Sequence, residues 1–272
     1  MNAERSPIEP LSPAQSLKPF VGDPDFMASL ARGLLVIAAF AKQEQRQTIA
    51  DLARLTDLPR ATVRRCLYTL KALGYVEHTD NLYQLKPKIL TLGYAYLSST
   101  QLAVTAQPYL ERVSQQVNES CSLAILENNE ILYVGRSPVK RVMSVVLNVG
   151  SRLPAYCSSM GRVLLAAQSP ETRQQYYQAV KRTALTERTV HTKTELEPLL
   201  LQITEQGYAI TNQELELGLC SIAVPVHNVF GEVVAAMNIS LQAALVSEDQ
   251  MKHTLLPVLQ QAAAELSNQL GH

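Results

Sequence analysis

The stretch TIADLARLTDLPRATVRRCLYTLKALGYVEHTDNLYQLK, residues 48–86, decides the fold of the N-terminal part of the chain. Thr48 stands as an N-cap before the helical run Ile49-Ala50-Asp51-Leu52-Ala53-Arg54-Leu55, with Asp51 three residues on forming a loose capping box. Thr56-Asp57-Leu58 makes a tight turn, and Pro59 opens a second helix, a position proline favours because its missing N–H is not needed there. That helix runs through Ala61, Val63, Leu67, Leu70 and Leu73 and stops at Gly74. Two short helices joined by a tight turn predict a helix-turn-helix. Beyond Gly74, Tyr75-Val76-Glu77-His78 and Leu82-Tyr83-Gln84-Leu85 flank Thr79-Asp80-Asn81, two β-prone runs around a turn that predict a hairpin. A hairpin directly after such a helix reads as a wing.

Val63, Leu67 and Leu70 face inward at helical spacing, which leaves Arg60, Ala61, Thr62, Arg64, Arg65 and Tyr68 on the other faces. The first turn of a recognition helix reaches base edges in the major groove, where arginine grips a guanine edge at two points and threonine meets a base or a phosphate. The residues expected to meet double-stranded DNA are therefore Thr48, Pro59, Arg60, Ala61, Thr62, Arg64, Arg65, Tyr68 and, just past the wing, Lys86; Lys88 is a further phosphate candidate. A charged helix face is common on proteins that bind nothing, and it is the adjoining wing that favours the DNA reading. His78 reads as an exposed wing residue.

Working outward, Phe26 to Phe40 places Leu30, Leu34, Ile37 and Ala38 on one stripe and predicts a helix, separated from the next by the polar break Lys42–Gln47. Residues 1–25 read as a flexible leader with five prolines, lacking the basic start and apolar core of a secretory signal. The formal charge of zero hides an asymmetry. Met27–Thr100 carries ten Lys/Arg against five Asp/Glu, residues 1–26 two against four, and residues 101–272 twelve against fifteen. A basic segment beside acidic remainders suits one part that meets phosphate and another that does not. The hydrophobic fraction of 47% excludes wholesale disorder. The richest apolar run, Gly33 to Ala41, is too short to span a membrane. Cys66, Cys121, Cys157 and Cys220 lie far apart without a CxxC pair, so neither a metal site nor a disulfide framework is indicated. A cytoplasmic protein without cofactors is expected.

At Pro87 to Thr100 apolar residues recur at helical intervals (Ile89, Leu92, Tyr96, Leu97), and Ala103 to Gln116 predicts another helix that Pro108 interrupts early. From Ser120 the period changes. Ser122–Leu126 and Ile131–Gly135 flank Glu127-Asn128-Asn129-Glu130, a hairpin signal, and Val142 to Val149 reads as a third strand. Helices are expected at Ser158–Ala167, Pro170–Val180 and Thr194–Gln206, strands at Tyr208–Thr211, Ser221–Val226 and Val233–Leu241, and a long closing helix at Glu248–Leu270. Hairpin strands with separate helices predict an α+β domain with an antiparallel or mixed sheet.

Two sets of motifs carry a resemblance. In the first half they are Ala31-Arg32-Gly33-Leu34, Thr48–Ala53, Leu58-Pro59-Arg60-Ala61-Thr62-Val63-Arg64-Arg65 and Leu73-Gly74-Tyr75-Val76. In the second they are Gly150–Ala166 (GSRLPAYCSSMGRVLLA), Gly207-Tyr208 and Glu214–Val226 (ELELGLCSIAVPV). In this order and spacing they resemble the IclR-type transcriptional regulators, over about residues 25–270. The resemblance implies a winged helix-turn-helix at 26–86, a linker helix at 87–100 that also helps pair subunits, and an effector-binding domain at 101–272 with a fold similar to that of GAF domains. It implies a homodimer or dimer of dimers on an operator or promoter. Within the family the chain looks similar to the branch of p-hydroxybenzoate- or protocatechuate-responsive activators of aromatic-acid breakdown, which implies RNA polymerase as a further partner.

The turn Ser158-Ser159-Met160-Gly161 leads into a helix whose free N–H groups attract an anion, so a small carboxylate is the expected guest. The resemblance carries over Leu153, Ser159, Met160, Thr211 and Ser221 as pocket positions; chemistry adds Tyr156, Asn238 and Arg152, the last equally readable as a surface arginine. The bulk of Tyr156 and Met160 favours an aromatic acid; the alternative is a repressor answering a small aliphatic acid. Two other readings compete. An enzyme would use Cys157 or Cys220 beside His191 or His227, or Ser158 or Ser159, but the GxSxG elbow of hydrolases is missing around them. A purely architectural DNA-binding protein would have no cavity near Ser159.

Overall fold

The computed structural model describes residues 12–42, 46–93, 101–139 and 147–270, and divides into two compact units, Met1–Ala95 and Tyr96–His272. In the first, three helices, α1 (Ala28–Ala39), α2 (Ile49–Thr56) and α3 (Arg60–Ala72), precede the hairpin β1 (Val76–Thr79) and β2 (Leu82–Leu85). The cap of α2 is reciprocal: the Asp51 N–H donates to Thr48 Oγ1 at 3.2 Å and the Thr48 N–H to Asp51 Oδ2 at 3.1 Å. Asp57, at φ 59°, turns the chain in the left-handed region. Pro59 sits one place earlier than expected, as the N-cap of α3, where its φ of −56° presets the helix entry. Asp80 and Asn81, with φ 51° and 65°, give the two-residue turn whose twist matches the strands. Val36, Leu52, Val63 and Leu67 are fully buried and hold the three helices together.

Three features differ from the sequence reading. The stripe of α1 is not core: Val36 and Ala39 are buried, whereas Leu30 and Leu34 are more than half exposed. From residue 12 on, the expected leader holds a 3₁₀ turn, Gln15–Phe20, and the Ala14 N–H donates to the Thr56 carbonyl at 3.1 Å. That bond supplies a donor to a helix end whose carbonyls have none within the helix. Lys88, expected at phosphate, donates to the Leu73 carbonyl at 2.9 Å and lies over the Tyr75 ring, so it caps the end of α3. Leader residues 1–11 and residues 94–100 of the expected linker lie outside the described residues.

The second unit is a six-stranded sheet in the order β5-β4-β3-β8-β7-β6, antiparallel at every pairing. Its strands are β3 (Ser120–Glu127), β4 (Glu130–Ser137), β5 (Arg152–Pro154), β6 (Ala209–Asn212), β7 (Leu219–His227) and β8 (Val233–Gln242). Most of the expected strand Val142–Val149 lies outside the described residues, and β5 was not foreseen. One face carries bulky residues, among them Leu123, Ile222, Met237 and Ile239, that pack on α4 (Gln101–Val117) and α8 (Leu256–Gln269). Helix α4 runs through Pro108 without ending there. The closing helix is not regular: Glu248–Gln250 leads into a π-helical turn, Met251–Leu255, before α8. Pro257 gives the reason, because it has no N–H and its ring crowds the carbonyl four residues back.

The opposite face carries small residues, Ala124, Ala209, Ala223 and Ala236, beneath α5 (Ser159–Ala166), α6 (Pro170–Ala179) and α7 (Lys193–Gln206). Helix α5 is buried along its whole length and is capped by Ser158, whose Oγ accepts from the Gly161 N–H at 3.2 Å. Gly161 is what allows this depth, since a Cβ there would lie 2.2 Å from the Ala155 carbonyl oxygen. Among the described residues no helix is long and apolar enough to cross a membrane.

Candidate functional site

The side of α3 turned from the core presents Ala61, Arg64, Arg65 and Tyr68, all exposed, with Arg60 on its flank. Tyr68 is 77% exposed. Thr62 is half buried and turned toward α1. The Thr48 hydroxyl donates to Asp51 Oδ2 at 2.7 Å, so its work is capping. Lys86 is exposed beyond the wing. His78 stacks on Tyr83 with ring centroids 4.3 Å apart, half buried rather than free in solvent.

A cavity lies between the small-residue face of the sheet and the N-terminal end of α5. The strand register explains its polarity. One row across the sheet reads Arg136, Ser122, Asn238, and a second reads Ser120, Ser240, Ser221, Thr211. These polar side chains alternate with the bulky apolar ones of the other face, and five of the seven, Arg136, Asn238, Ser240, Ser221 and Thr211, line the cavity. Ser159 Oγ lies 2.8 Å from Ser221 Oγ, which lies 3.0 Å from Thr211 Oγ1. These three hydroxyls, from α5, β7 and β6, bond to one another in a chain. Apolar walls come from Leu153, Met160, Leu215 and Leu219. The enclosed space is about 30 Å³, room for one or two waters.

Of the residues named from sequence, Leu153, Ser159, Met160, Thr211, Ser221 and Asn238 come together around this cavity. Two do not. Tyr156 points elsewhere, its hydroxyl donating to the Thr183 carbonyl at 2.9 Å. Arg152 pairs on the surface with Glu127 and, at 3.8 Å, with Glu130. Among the described residues the cation that lines the cavity is Arg136, which sequence reasoning missed. A β-bulge opposite Leu123 and Ala124 puts an extra residue into β4, so Tyr133 and Arg136 both face the cavity although three apart. Arg136 Nη1 donates to Ser122 Oγ at 3.1 Å, while its Nε is buried without a partner among the described residues. No carboxylate pairs with it among the described residues, and burial lowers its pKa from the ordinary value; an arginine still stays charged. Burial pushes the Tyr133 phenol up to about 12, so it remains a protonated hydroxyl.

The cysteines are poor nucleophiles. Burial pushes Cys157 up to about 12 and Cys220 up to about 11, so both remain thiols at neutral pH. Around α5 a buried ion pair fixes the cavity rim. Arg162, 3% exposed, donates through Nε to the Tyr156 carbonyl at 2.9 Å and through Nη1 to Glu214 Oε1 at 2.7 Å. Glu214 Oε2 also accepts from the Val190 N–H at 2.9 Å, and the next residue, Leu215, is a cavity wall.

Comparison with known proteins agrees with both units. Residues 29–80 match the IclR helix-turn-helix domain and residues 94–268 the C-terminal domain described as bacterial transcriptional regulator IclR. The Pca regulon regulatory protein of Pseudomonas putida is 47% identical over 270 residues, covering 99% of this chain and 93% of that one. A crystal structure of a putative transcriptional regulator from a Rhodococcus species is 45% identical, with a TM-score of 0.82 over 90% of this chain and 98% of that one. An IclR homologue from Microbacterium hydrocarbonoxydans, crystallised with 4-hydroxybenzoate, is 29% identical with a TM-score of 0.78, over 89% of this chain and 99% of that one.

Proposed function

Because this chain belongs to the IclR family of bacterial transcriptional regulators, we propose that it controls genes of aromatic-acid breakdown, as an activator, by binding a small carboxylate between its sheet and α5. The observation that carries the ligand reading is Arg136, a cavity-lining cation without a carboxylate partner among the described residues. Its Nε–H and a neighbouring N–H are the pair that holds a carboxylate side-on. The first turn of α5 and Ser159 supply further donors. A ring-bearing acid suits the leucine and methionine walls, and the relative crystallised with 4-hydroxybenzoate supports that choice.

On DNA, α3 lies in the major groove with Arg64, Arg65 and Tyr68 toward base edges, while Arg60 and Lys86 meet phosphates. Self-association is supported by α1, whose Leu30 and Leu34 are 58% and 53% exposed on a helix that packs by its other side. A dimer matches two half-sites, and the acid acts by favouring one spacing of the two winged helices. RNA polymerase is the further partner of an activator.

The test is a melting-temperature screen of the full chain with ring acids and open-chain acids, repeated on Arg136→Gln, Ser159→Ala and Ser221→Ala. A ring acid that raises the melting temperature of the wild type but of none of the three variants supports the reading. A shift by open-chain acids alone would replace the ring reading with an aliphatic one, and undiminished binding by Arg136→Gln would remove the site. Sedimentation of the full chain reads the dimer, which Leu30→Glu with Leu34→Glu should dissociate.

A further inference from the structure

The 3₁₀ turn that precedes α1 is bonded to the turn between α2 and α3. Asp57, at φ 59°, is the residue on which the chain leaves α2 for α3. A residue other than glycine occupies that region at a cost and keeps it where its surroundings hold it. Two contacts from residues 12–14 do so. Ser12 Oγ donates to Asp57 Oδ2 at 2.9 Å, and the Ala14 N–H donates to the Thr56 carbonyl at 3.1 Å. Ser12 is itself fixed: its Oγ accepts from the Gln15 N–H at 3.3 Å, and its N–H donates to Gln15 Oε1 at 2.8 Å. Ala14 packs against the core that the three helices share. The other end of this arm is tied to the start of α1, where the Phe20 and Phe26 rings stack with centroids 4.5 Å apart, just before the N-cap residue Met27. The arm therefore joins the beginning of α1 to the turn before α3. The match to the IclR helix-turn-helix domain begins at residue 29, so the arm lies outside it.

We propose that residues 12–26 are a positioning element of the DNA-reading unit: by holding the turn at Thr56 and Asp57 they set the pose of α3, and sequence-specific affinity depends on them without their touching DNA. Their charge argues against a phosphate contact, since Lys18 stands against Asp23 and Asp25. Their polar groups near the turn are already engaged, Ser12 with Asp57 and Gln15, and Ser16 with the Pro13 carbonyl. An α3 released from this hold binds its sequence only in the fraction of molecules that keep the right pose, and the apparent affinity falls by that fraction. Attraction to phosphates needs no base register and is left as it was. The proposal rests on the reading of α3 as the recognition helix.

The experiment titrates the full chain with two probes, a duplex selected from random sequence by the wild type and unselected random duplex, at several salt concentrations and well below the melting temperature of every variant. Ser12→Ala should lower affinity for the selected duplex by about three- to tenfold, the size of one hydrogen bond, with random-duplex affinity and salt slope unchanged. Phe20→Ala, at the far end of the arm, should act in the same direction. Ser12→Thr keeps the hydroxyl and should restore the affinity that Ser12→Ala loses. Lys18→Ala should bind both probes as the wild type does. A merely structural role would lower the melting temperature and leave the folded protein's affinity alone, so wild-type affinity in either Ser12→Ala or Phe20→Ala overturns the proposal. So does a Ser12→Thr as weak as Ser12→Ala. A Lys18→Ala that loses affinity for both probes and lowers the salt slope by about one overturns it as well, by making the arm a phosphate contact. Arg65→Ala separates the proposal from the reading beneath it. If Arg65→Ala discriminates between the two probes as well as the wild type, or if no duplex can be selected, the α3 reading fails and the proposal with it. If Arg65→Ala loses discrimination while Ser12→Ala does not, the proposal alone fails.

Discussion

Replacing Arg162 by methionine should destabilise the second unit by about 3–5 kcal/mol, the range for removing one partner of a buried ion pair. The guanidinium makes one bond to the Tyr156 carbonyl and a two-point contact with Glu214, all within a shell where Arg162 is 3% and Glu214 8% exposed. Methionine fills much of the volume but leaves the Glu214 carboxylate held by the Val190 N–H alone. For a unit of this size each kcal/mol moves the melting temperature by about 2–4 °C, so a fall of about 6–20 °C is expected. The pair Arg162→Met with Glu214→Met leaves no charge buried and should recover at least half of the loss. Urea unfolding of the full chain, followed by circular dichroism, gives both values. A single variant within about 1 kcal/mol of the wild type would refute the reasoning, because it would mean that water or rearrangement already satisfies the lone carboxylate. A double variant as unstable as the single would refute it too, by showing that packing and not charge sets the cost. Since Leu215 follows Glu214 and lines the cavity, the single variant should also bind acids more weakly.

Other outcomes follow from the same geometry. Gly161→Ala would set a methyl 2.2 Å from the Ala155 carbonyl, a backbone obstacle that cannot turn aside, so a loss of about 3 kcal/mol or more, or no folded protein, is expected in the same unfolding assay. Gly135→Ala meets a side chain instead, Leu110 Cδ1 at 2.8 Å on α4; its milder cost, about 1–2 kcal/mol, should be relieved in part when Leu110→Val is added. Arg65→Ala should weaken binding to a selected promoter fragment more than to random duplex, by about 1–3 kcal/mol, whereas Lys86→Ala should weaken both equally and lower the salt slope by about one, read by titrations at several salt concentrations. Bonds from Thr48 hold the Asp51 carboxyl below its ordinary value of 3.8. Its stabilisation is therefore complete above that value and fades as pH falls through the lower folded one, and Thr48→Ala should flatten the acid limb of melting temperature against pH.

The recognition helix, the wing and the β3–β4 hairpin were legible because each is a local pattern. Thr48 with Asp51, Pro59, the spacing of Val63, Leu67 and Leu70, and the Asp80-Asn81 turn each name a conformation within a few residues. The polar rungs of the cavity were half legible. Ser120 and Ser122, then Asn238 and Ser240, stand two apart within apolar strands, and alternation alone puts each pair on one face. What alternation does not reveal is a shift of phase. The bulge in β4 turns Arg136 to the same side as Tyr133, whereas strict alternation puts it on the opposite one, and so the exposed Arg152 attracted the assignment instead.

Local pattern, then, was enough to specify the helix-turn-helix, its wing and a sheet of hairpins, since the backbone and capping chemistry that make them act between near neighbours. Which cation faces the cavity, which leucines of α1 are left outside the core, and that Arg162 and Glu214 meet were settled only by tertiary packing. Those outcomes depend on groups far apart in the chain competing for the same small volume, and burial, unlike helix or strand period, is a property of the assembled surfaces.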